Sequence, residues 1–173
     1  KFEKDEIIFV LEKFYYDFLR DKKIKNEIKI LPPSCSIKSE RIIAFNICED
    51  IYNNILKDLS QALNNLHNIN FSYRIWEIIF GNWLRYYVWI SFERYNSLIN
   101  ATNKIKFDKI YGIKDDDFIF ANKDTSNITY SSIDDRWNSN LYYKVLKYTE
   151  FDKDKIFFSD FPLFESEGLK IKS

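Results

Sequence analysis

The sequence of 173 residues is poor in glycine, proline, cysteine and histidine, and it contains no methionine. Its three glycines, Gly81, Gly112 and Gly168, form none of the glycine-rich loops that cradle nucleotide phosphates. The single histidine excludes a His-rich metal site, and the two cysteines, Cys35 and Cys48, are too few for a disulfide framework. We therefore predict neither a metal site nor a cofactor site within these residues.

An excess of charge of one sign is also missing, because 26 Lys and Arg residues balance 26 Asp and Glu residues. A chain with zero net charge lacks the basic field that drives non-specific nucleic-acid binding. The longest apolar run in the aromatic centre, residues 86–90, is far shorter than the ~20 residues of a membrane-spanning helix. We predict no nucleic-acid partner and no integral membrane segment. Two thiols and no signal-peptide pattern predict a cytoplasmic protein.

The lack of methionine also bears on the extent of the chain, which begins at Lys1. The length suits one domain of roughly 150 residues and leaves no room for a second full domain. We expect residues 1–173 to form a single α/β domain that is the N-terminal part of a larger two-domain protein.

Two short apolar runs near the start predict strands. Ile7–Leu11 is a β-branched run bounded by charges, and Glu27–Leu31 alternates apolar and charged residues before two prolines. Phe14–Arg20 between them suits a short helix. Together they predict a strand-helix-strand start to an α/β layer.

Two long helices are predicted next, one from Lys38 to Leu66 and one from Ser72 to Asn100. The apolar positions of the first share one helix face: Ile51, Ile55, Leu59, Ala62 and Leu66. The second carries large apolar residues in nearly every direction, which is typical of a buried helix. Because their connection is short, we expect antiparallel neighbours that pack against a small sheet.

Arg74, Gly81 and Arg85 share one narrow stripe of the second long helix. Glycine there would let another backbone or a ligand approach closely. Two interpretations stay open, an ion-pair set that includes Glu77 and an anion-binding site.

The remaining residues are more irregular. Phe118–Phe120 predicts a short strand, residues 122–127 predict a loop, and residues 131–135 place Ser three positions before Asp twice. That spacing is a variant of the capping box and predicts a helix that runs through Leu146. The aromatic residues after 151 are expected to pack on this domain or on a partner domain.

Three segments together resemble the LIC-type family of transferases of surface-carbohydrate (O-antigen type) biosynthesis. They are Ala62–Trp76, then Ile79–Leu84 followed by Phe92–Tyr95, and then Asp134–Asn138 followed by Leu141 and Tyr142. The family has proline where Asn82 stands and aspartate where Glu93 stands, so this chain resembles a divergent member.

The resemblance implies the N-terminal, Rossmann-like part of a GT-B-type glycosyltransferase. A sugar or sugar phosphate would bind here, and a missing C-terminal domain would bind most of a nucleotide-sugar donor. The candidate catalytic residues are His67, Asp134 and Asp135. The candidate substrate-binding residues are Glu12, Arg74, Trp83, Arg85, Arg94, Trp137 and Asn138.

Structural roles stay open for several of these residues. His67 suits a helix terminus, Asp134 and Asp135 suit helix capping, and Trp83 suits a core position. The alternative functions are a non-catalytic binding or protein-interaction domain and a different sugar- or phosphate-handling enzyme. A cleft shared by His67, Arg74 and Asp134 would favour an enzyme.

Overall fold

The structure is a computed structural model that describes residues 6–113, 120, 125–149 and 151–159. The chain divides into two compact units, Lys1–Ile105 and Lys106–Ser173. The described part is helix-rich and α/β. The first unit contains β1 (Ile8–Val10), α1 (Lys13–Asp21), β2 (Ile28–Ile30), α2 (Lys38–His67) and α3 (Tyr73–Lys104).

The predicted strand-helix-strand start is confirmed. β1 and β2 pair in parallel, with Ile8 opposite Ile28 and Val10 opposite Ile30, and α1 connects them. The pairing continues beyond the strands, because the Leu31 amide donates to the Val10 carbonyl at 2.8 Å. Since the strands are parallel, both of their carboxyl ends lie at the same edge.

The turn between α2 and α3 is built around Asn64. Its side chain accepts a hydrogen bond from the Phe71 amide at 3.1 Å and donates one to the Phe71 carbonyl at 2.9 Å. The same amide oxygen accepts from the Trp76 indole at 3.0 Å. Asn68 ends α2 in the left-handed conformation, with φ 50°, which asparagine tolerates better than most residues. These contacts reverse the chain within five residues.

α2 and α3 are antiparallel, as predicted. Contacts join Asn64 to Trp76, Tyr52 to Gly81 and Glu49 to Arg85, so sequence separation grows with distance from the turn. The buried core of this pair is formed by Cys48, Tyr52, Leu56, Trp76, Leu84 and Val88. Burial of these side chains supplies the main apolar stabilisation of the pair.

The prediction of which face of α2 is buried is wrong. The residues that α2 buries are Ala44, Cys48, Tyr52, Leu56 and Ser60. Ile51, Ile55 and Leu66 of the predicted face are exposed, as are Ile43 and Ile47. The physical reason is that packing selects the row of side chains that fits α3, and this row is not the most hydrophobic one.

The expectation that the second long helix is buried all round is also wrong. Ile78, Ile79 and Tyr86 of α3 are exposed, with Ile78 at 71%. Only one side of α3 meets α2, and Gly81, Leu84 and Val88 lie on that side. Within the described residues, neither long helix has a segment long and apolar enough to cross a bilayer.

The described residues of the second unit contain a second parallel strand pair. The elements of this unit are β3 (Ile110–Ile113), α4 (Thr125–Ser131), α5 (Asp135–Tyr148), a 3-10 turn (Lys153–Lys155) and β4 (Ile156–Ser159), and the strand pair consists of β3 and β4. A side chain at Gly112 would meet the Phe158 ring on the paired strand at 2.8 Å. Glycine at this position therefore lets the ring lie against β3.

The start of α5 differs in detail from the prediction. Asp134, rather than a preceding serine, is the N-cap, because its carboxylate accepts the Trp137 amide hydrogen at 2.8 Å. α4 begins within the predicted loop 122–127. Of the predicted strand Phe118–Phe120, residues 118 and 119 lie outside the described residues, and Phe120 is not in a strand. Residues 160–173 also lie outside them.

Lys153 closes the end of α5. Its ammonium group donates to the carbonyls of Leu146, Lys147 and Thr149 at 2.9 to 3.1 Å. A cation at a helix C-terminus also interacts favourably with the helix dipole.

We expect Lys153→Met to lower the free energy of unfolding by about 1 kcal/mol, because the last carbonyls of α5 lose a charged donor. Urea unfolding followed by circular dichroism measures it. Lys155→Met is the matched control, since the Lys155 ammonium group forms an exposed ion pair with Asp152 at 3.4 Å. Equal losses in the two variants would contradict the capping role.

Cys48 and Cys35 are both free thiols, but Cys48 is buried in the helix-pair core. Burial, with smaller contributions from Cys35 and Glu49, raises the pKa of the Cys48 thiol to about 11. At pH 8 its thiolate fraction should therefore be about 100-fold lower than that of a thiol with the ordinary pKa of 9.0.

We expect iodoacetamide at pH 8 to label Cys48 at least about 100-fold more slowly in the native protein than in urea, because the thiolate is the reactive form. Peptide mass spectrometry measures the rate, and Cys35 in the same sample serves as the internal comparison. Labelling of native Cys48 at the unfolded rate would contradict its burial.

Candidate functional site

A polar cluster of the first unit lies at the carboxyl edge of the β1–β2 pair. In open α/β sheets, ligands bind outside the carboxyl ends of parallel strands. Glu12 comes two residues after β1, and Ser34 comes four residues after β2. On α3, Arg94 pairs with Glu12, and the Glu93 carbonyl accepts a hydrogen bond from Ser34. We call Glu12, Ser34, Glu93 and Arg94 the edge cluster.

Arg94 joins the two carboxylates of this cluster. Its Nε lies 3.5 Å from Glu12 Oε1, and its Nη1 contacts Glu93 Oε2. The Arg94 side chain is only 14% exposed, whereas Glu93 is 27% and Glu12 is 34% exposed. The guanidinium is thus the most covered of the three groups, and the carboxylates are the groups that solvent reaches more easily.

The loop after β2 is fastened to the same turn of α3. The Ser34 hydroxyl is buried and donates to the Glu93 carbonyl at 3.2 Å. Asn96 donates to the Cys35 sulfur at 3.5 Å, and Cys35 adopts a left-handed backbone with φ 57°. These contacts bring the middle of a long helix to the ends of two strands.

The electrostatics of the edge cluster suit proton exchange. Burial raises the pKa of the Glu93 carboxyl above its ordinary value of 4.5, Arg94 opposes this rise and Glu12 adds to it. A carboxyl group with a raised pKa can take up and release a proton closer to neutral pH. Carboxylate oxygens also accept hydrogen bonds from ligand hydroxyls.

The predicted stripe of α3 is a set of ion pairs. Arg74 pairs with Glu77, three residues on, and the Arg74 side chain is 74% exposed. Arg85 donates to both oxygens of Glu49 on α2, at 2.8 and 3.1 Å. The sequence analysis left two interpretations of this stripe open, an ion-pair set that includes Glu77 and an anion-binding site. In the structure Glu77 is the partner of Arg74, whereas Arg85 pairs with Glu49.

A close approach occurs at Gly81, but the approaching group is a side chain and not the backbone or ligand that the sequence analysis expected. A Cβ atom there would lie 2.8 Å from the Tyr52 hydroxyl. The Arg85 guanidinium lies 4.1 Å from the centre of the Tyr52 ring. The group that approaches the glycine is thus a side chain of α2.

The other candidate residues are spread over both units. His67 is exposed in the last turn of α2. A cation at this end of a helix interacts favourably with the helix dipole. Trp83 is half-buried, packs on the helix-pair core and stacks on Tyr87 at 5.3 Å.

In the second unit, Asp134 caps α5 and Asp135 lies in its first turn. Trp137 is buried, and Asn138 donates to the carbonyls of Ser132 and Asp134. The convergence of His67 and Arg74 with this helix start stays a prediction.

The structure adds residues that the sequence reasoning did not select. Glu93 enters the sequence analysis only as a departure from the family pattern, and Ser34 does not enter it. The available signals were an acidic residue inside an aromatic helix and a polar residue just after a predicted strand. Among the described residues, no three His, Cys, Asp or Glu side chains are arranged to hold a metal ion.

A comparison with family models matches residues 1–160 to the family described as LIC12162 family transferase. No curated protein and no solved structure matches the chain.

We expect the two neighbours of Glu93 to shift its pKa in opposite directions when each is removed. Arg94→Gln should raise the pKa of Glu93 further, and Glu12→Gln should lower it, because Arg94 favours the charged form and Glu12 disfavours it. Carboxyl ¹³C NMR titration measures both shifts, and the signal missing in Glu93→Gln assigns the resonance. Shifts of the same sign would contradict the cluster geometry.

Proposed function

The chain belongs to the LIC12162 family of transferases, and from this premise we propose that it is a glycosyltransferase-like domain of surface-polysaccharide biosynthesis. In this proposal the described units supply the acceptor side of a GT-B-type enzyme. A second domain of a longer polypeptide holds most of the nucleotide-sugar donor, and the reaction takes place in the cytoplasm.

The edge cluster is the observation that carries this proposal. It combines a guanidinium, two carboxylates and a buried serine at the carboxyl edge of a parallel strand pair. Ligands of open α/β sheets bind at this edge. Sugar hydroxyls are hydrogen-bond donors, and carboxylates such as Glu12 and Glu93 accept them in charge-assisted bonds.

The proposed chemistry is transfer of a glycosyl group to an acceptor hydroxyl. Glu93 accepts the hydroxyl proton as general base while the acceptor oxygen bonds to the sugar carbon. The bond from that carbon to the donor phosphate breaks, and the phosphate leaves with the electron pair. Arg94 and Ser34 position Glu93, since both hold the same residue of α3.

His67, Asp134 and Asp135 remain alternative candidates for the base. His67 is exposed and belongs to the first unit, whereas Asp134 and Asp135 belong to the second. The Asp134 carboxylate already accepts a backbone amide hydrogen as an N-cap. The Glu93 carboxylate is also engaged, by Arg94, so the preference for Glu93 as the base rests on its burial, which raises its pKa.

A protein-interaction role is the second candidate function, and one observation favours it. Ile43, Ile47, Ile51 and Ile55 form an exposed apolar row on α2. Exposed apolar surface of this kind often marks a protein contact.

We expect Glu12→Gln to weaken binding of a sugar, sugar phosphate or nucleotide sugar by about 10-fold to 100-fold, because a charge-assisted hydrogen bond is lost. Calorimetric titration of the full chain with each compound class measures the dissociation constant. Glu27→Gln is the matched control, since Glu27 precedes β2 and lies at the opposite, amino end of the strands.

Arg74→Ala separates the two candidate sites. If Arg74→Ala weakens binding and Glu12→Gln does not, the ligand binds at the α3 stripe instead of the edge cluster. Binding by the wild type that neither substitution changes would reject both sites.

A further inference from the structure

The Tyr52 hydroxyl is a polar group buried where α2 meets α3. Tyr52 is 0% exposed, and its hydroxyl makes no hydrogen bond to any described residue. Burial is the main cause that raises its pKa, so the hydroxyl is a donor at neutral pH. A buried donor that makes no hydrogen bond destabilises the folded state.

The side chain of Glu77 lies near this hydroxyl and carries an acceptor, but its carboxylate pairs with Arg74. The Tyr52 hydroxyl and Glu77 Cγ lie 2.8 and 3.3 Å from one point, the position that a Cβ of residue 81 would take. The Glu77 carboxylate is one bond beyond Cγ and pairs with Arg74. Rotation about the Glu77 side-chain bonds can therefore carry the carboxylate from Arg74 toward Tyr52.

We propose that Glu77 is a two-position carboxylate, which pairs with Arg74 in one position and accepts the Tyr52 hydroxyl hydrogen in the other. Arg74 is largely exposed, and exposed ion pairs contribute little stability. The inner position costs the carboxylate some hydration but supplies the missing acceptor. Removal of Arg74, or its capture by an anionic group, therefore moves Glu77 inward.

The surroundings of Tyr52 favour Glu77, and not Glu49, as the carboxylate that moves. Arg85 lies over the ring and is held by both oxygens of Glu49. Glu49 is thus committed to Arg85, whereas Glu77 pairs with Arg74 one turn away on α3 and also interacts electrostatically with Arg85. The exchange connects an exposed guanidinium with the core of the helix pair. It does not depend on the transferase proposal.

A double-mutant cycle tests the exchange in the full chain. Tyr52→Phe removes only the hydroxyl and keeps the ring. In the wild-type background we expect an unchanged or raised melting temperature, because an unpartnered donor is removed. In the Arg74→Gln background the same change should lower the melting temperature by about 2–4 °C, because a formed hydrogen bond is lost.

Arg20→Gln is the matched control background, since Arg20 makes a comparable exposed ion pair with Asp17, also three residues away. There Tyr52→Phe should behave as in the wild type. In an Arg74→Gln, Glu77→Ala background the 2–4 °C loss should disappear. An equal effect of Tyr52→Phe in the wild-type and Arg74→Gln backgrounds would overturn the proposal, and so would a loss in the wild type.

Discussion

The contact between Tyr52 and Gly81 fixes how α2 and α3 meet. Any side chain at position 81 would occupy the space of the phenol hydroxyl, because even a Cβ would lie 2.8 Å from it. Arg85 lies over the Tyr52 ring, and Glu49 holds Arg85. Rotation of α3 about its own axis and sliding of α3 along α2 are both restricted. The position of Glu93 at the strand ends therefore depends on a contact three turns earlier in α3.

The existence of both long helices could be predicted, α2 from its 3.6-residue apolar period and α3 from a long stretch whose apolar residues point in nearly every direction around a helix. The face of α2 that packs against α3 could not be predicted in this way. Two adjacent rows advance by four residues: an exposed row of Ile43, Ile47, Ile51 and Ile55, and a buried row of Ala44, Cys48, Tyr52 and Leu56. The exposed row is the more hydrophobic. The fit of Tyr52 to Gly81 is a property of two helices together, so the pattern of one helix does not contain it.

The candidate site was predictable to a different extent at each residue. The cap Asp134 follows from local chemistry, since the acceptor and the amide that it binds are three residues apart. Glu12 and Arg94 entered only through the family resemblance, because nothing local links residues 82 positions apart. Ser34 and Glu93 needed the tertiary fold, which brings a loop and a helix centre together. Asn64 shows the same dependence, since its three hydrogen bonds reach Phe71 and Trp76.

The side-chain gap at Gly81 also has a mechanical meaning. It marks a point of close approach, so it can act as the fulcrum about which α3 tilts against α2. Glu93 lies twelve residues further along α3, or about 18 Å at 1.5 Å per residue. A tilt of about 5° at the fulcrum would displace Glu93 by roughly 1.5 Å, and a misplacement of ~1 Å can already cost an active site about 100-fold in rate. Small changes in the helix crossing would therefore be amplified at the edge of the strands.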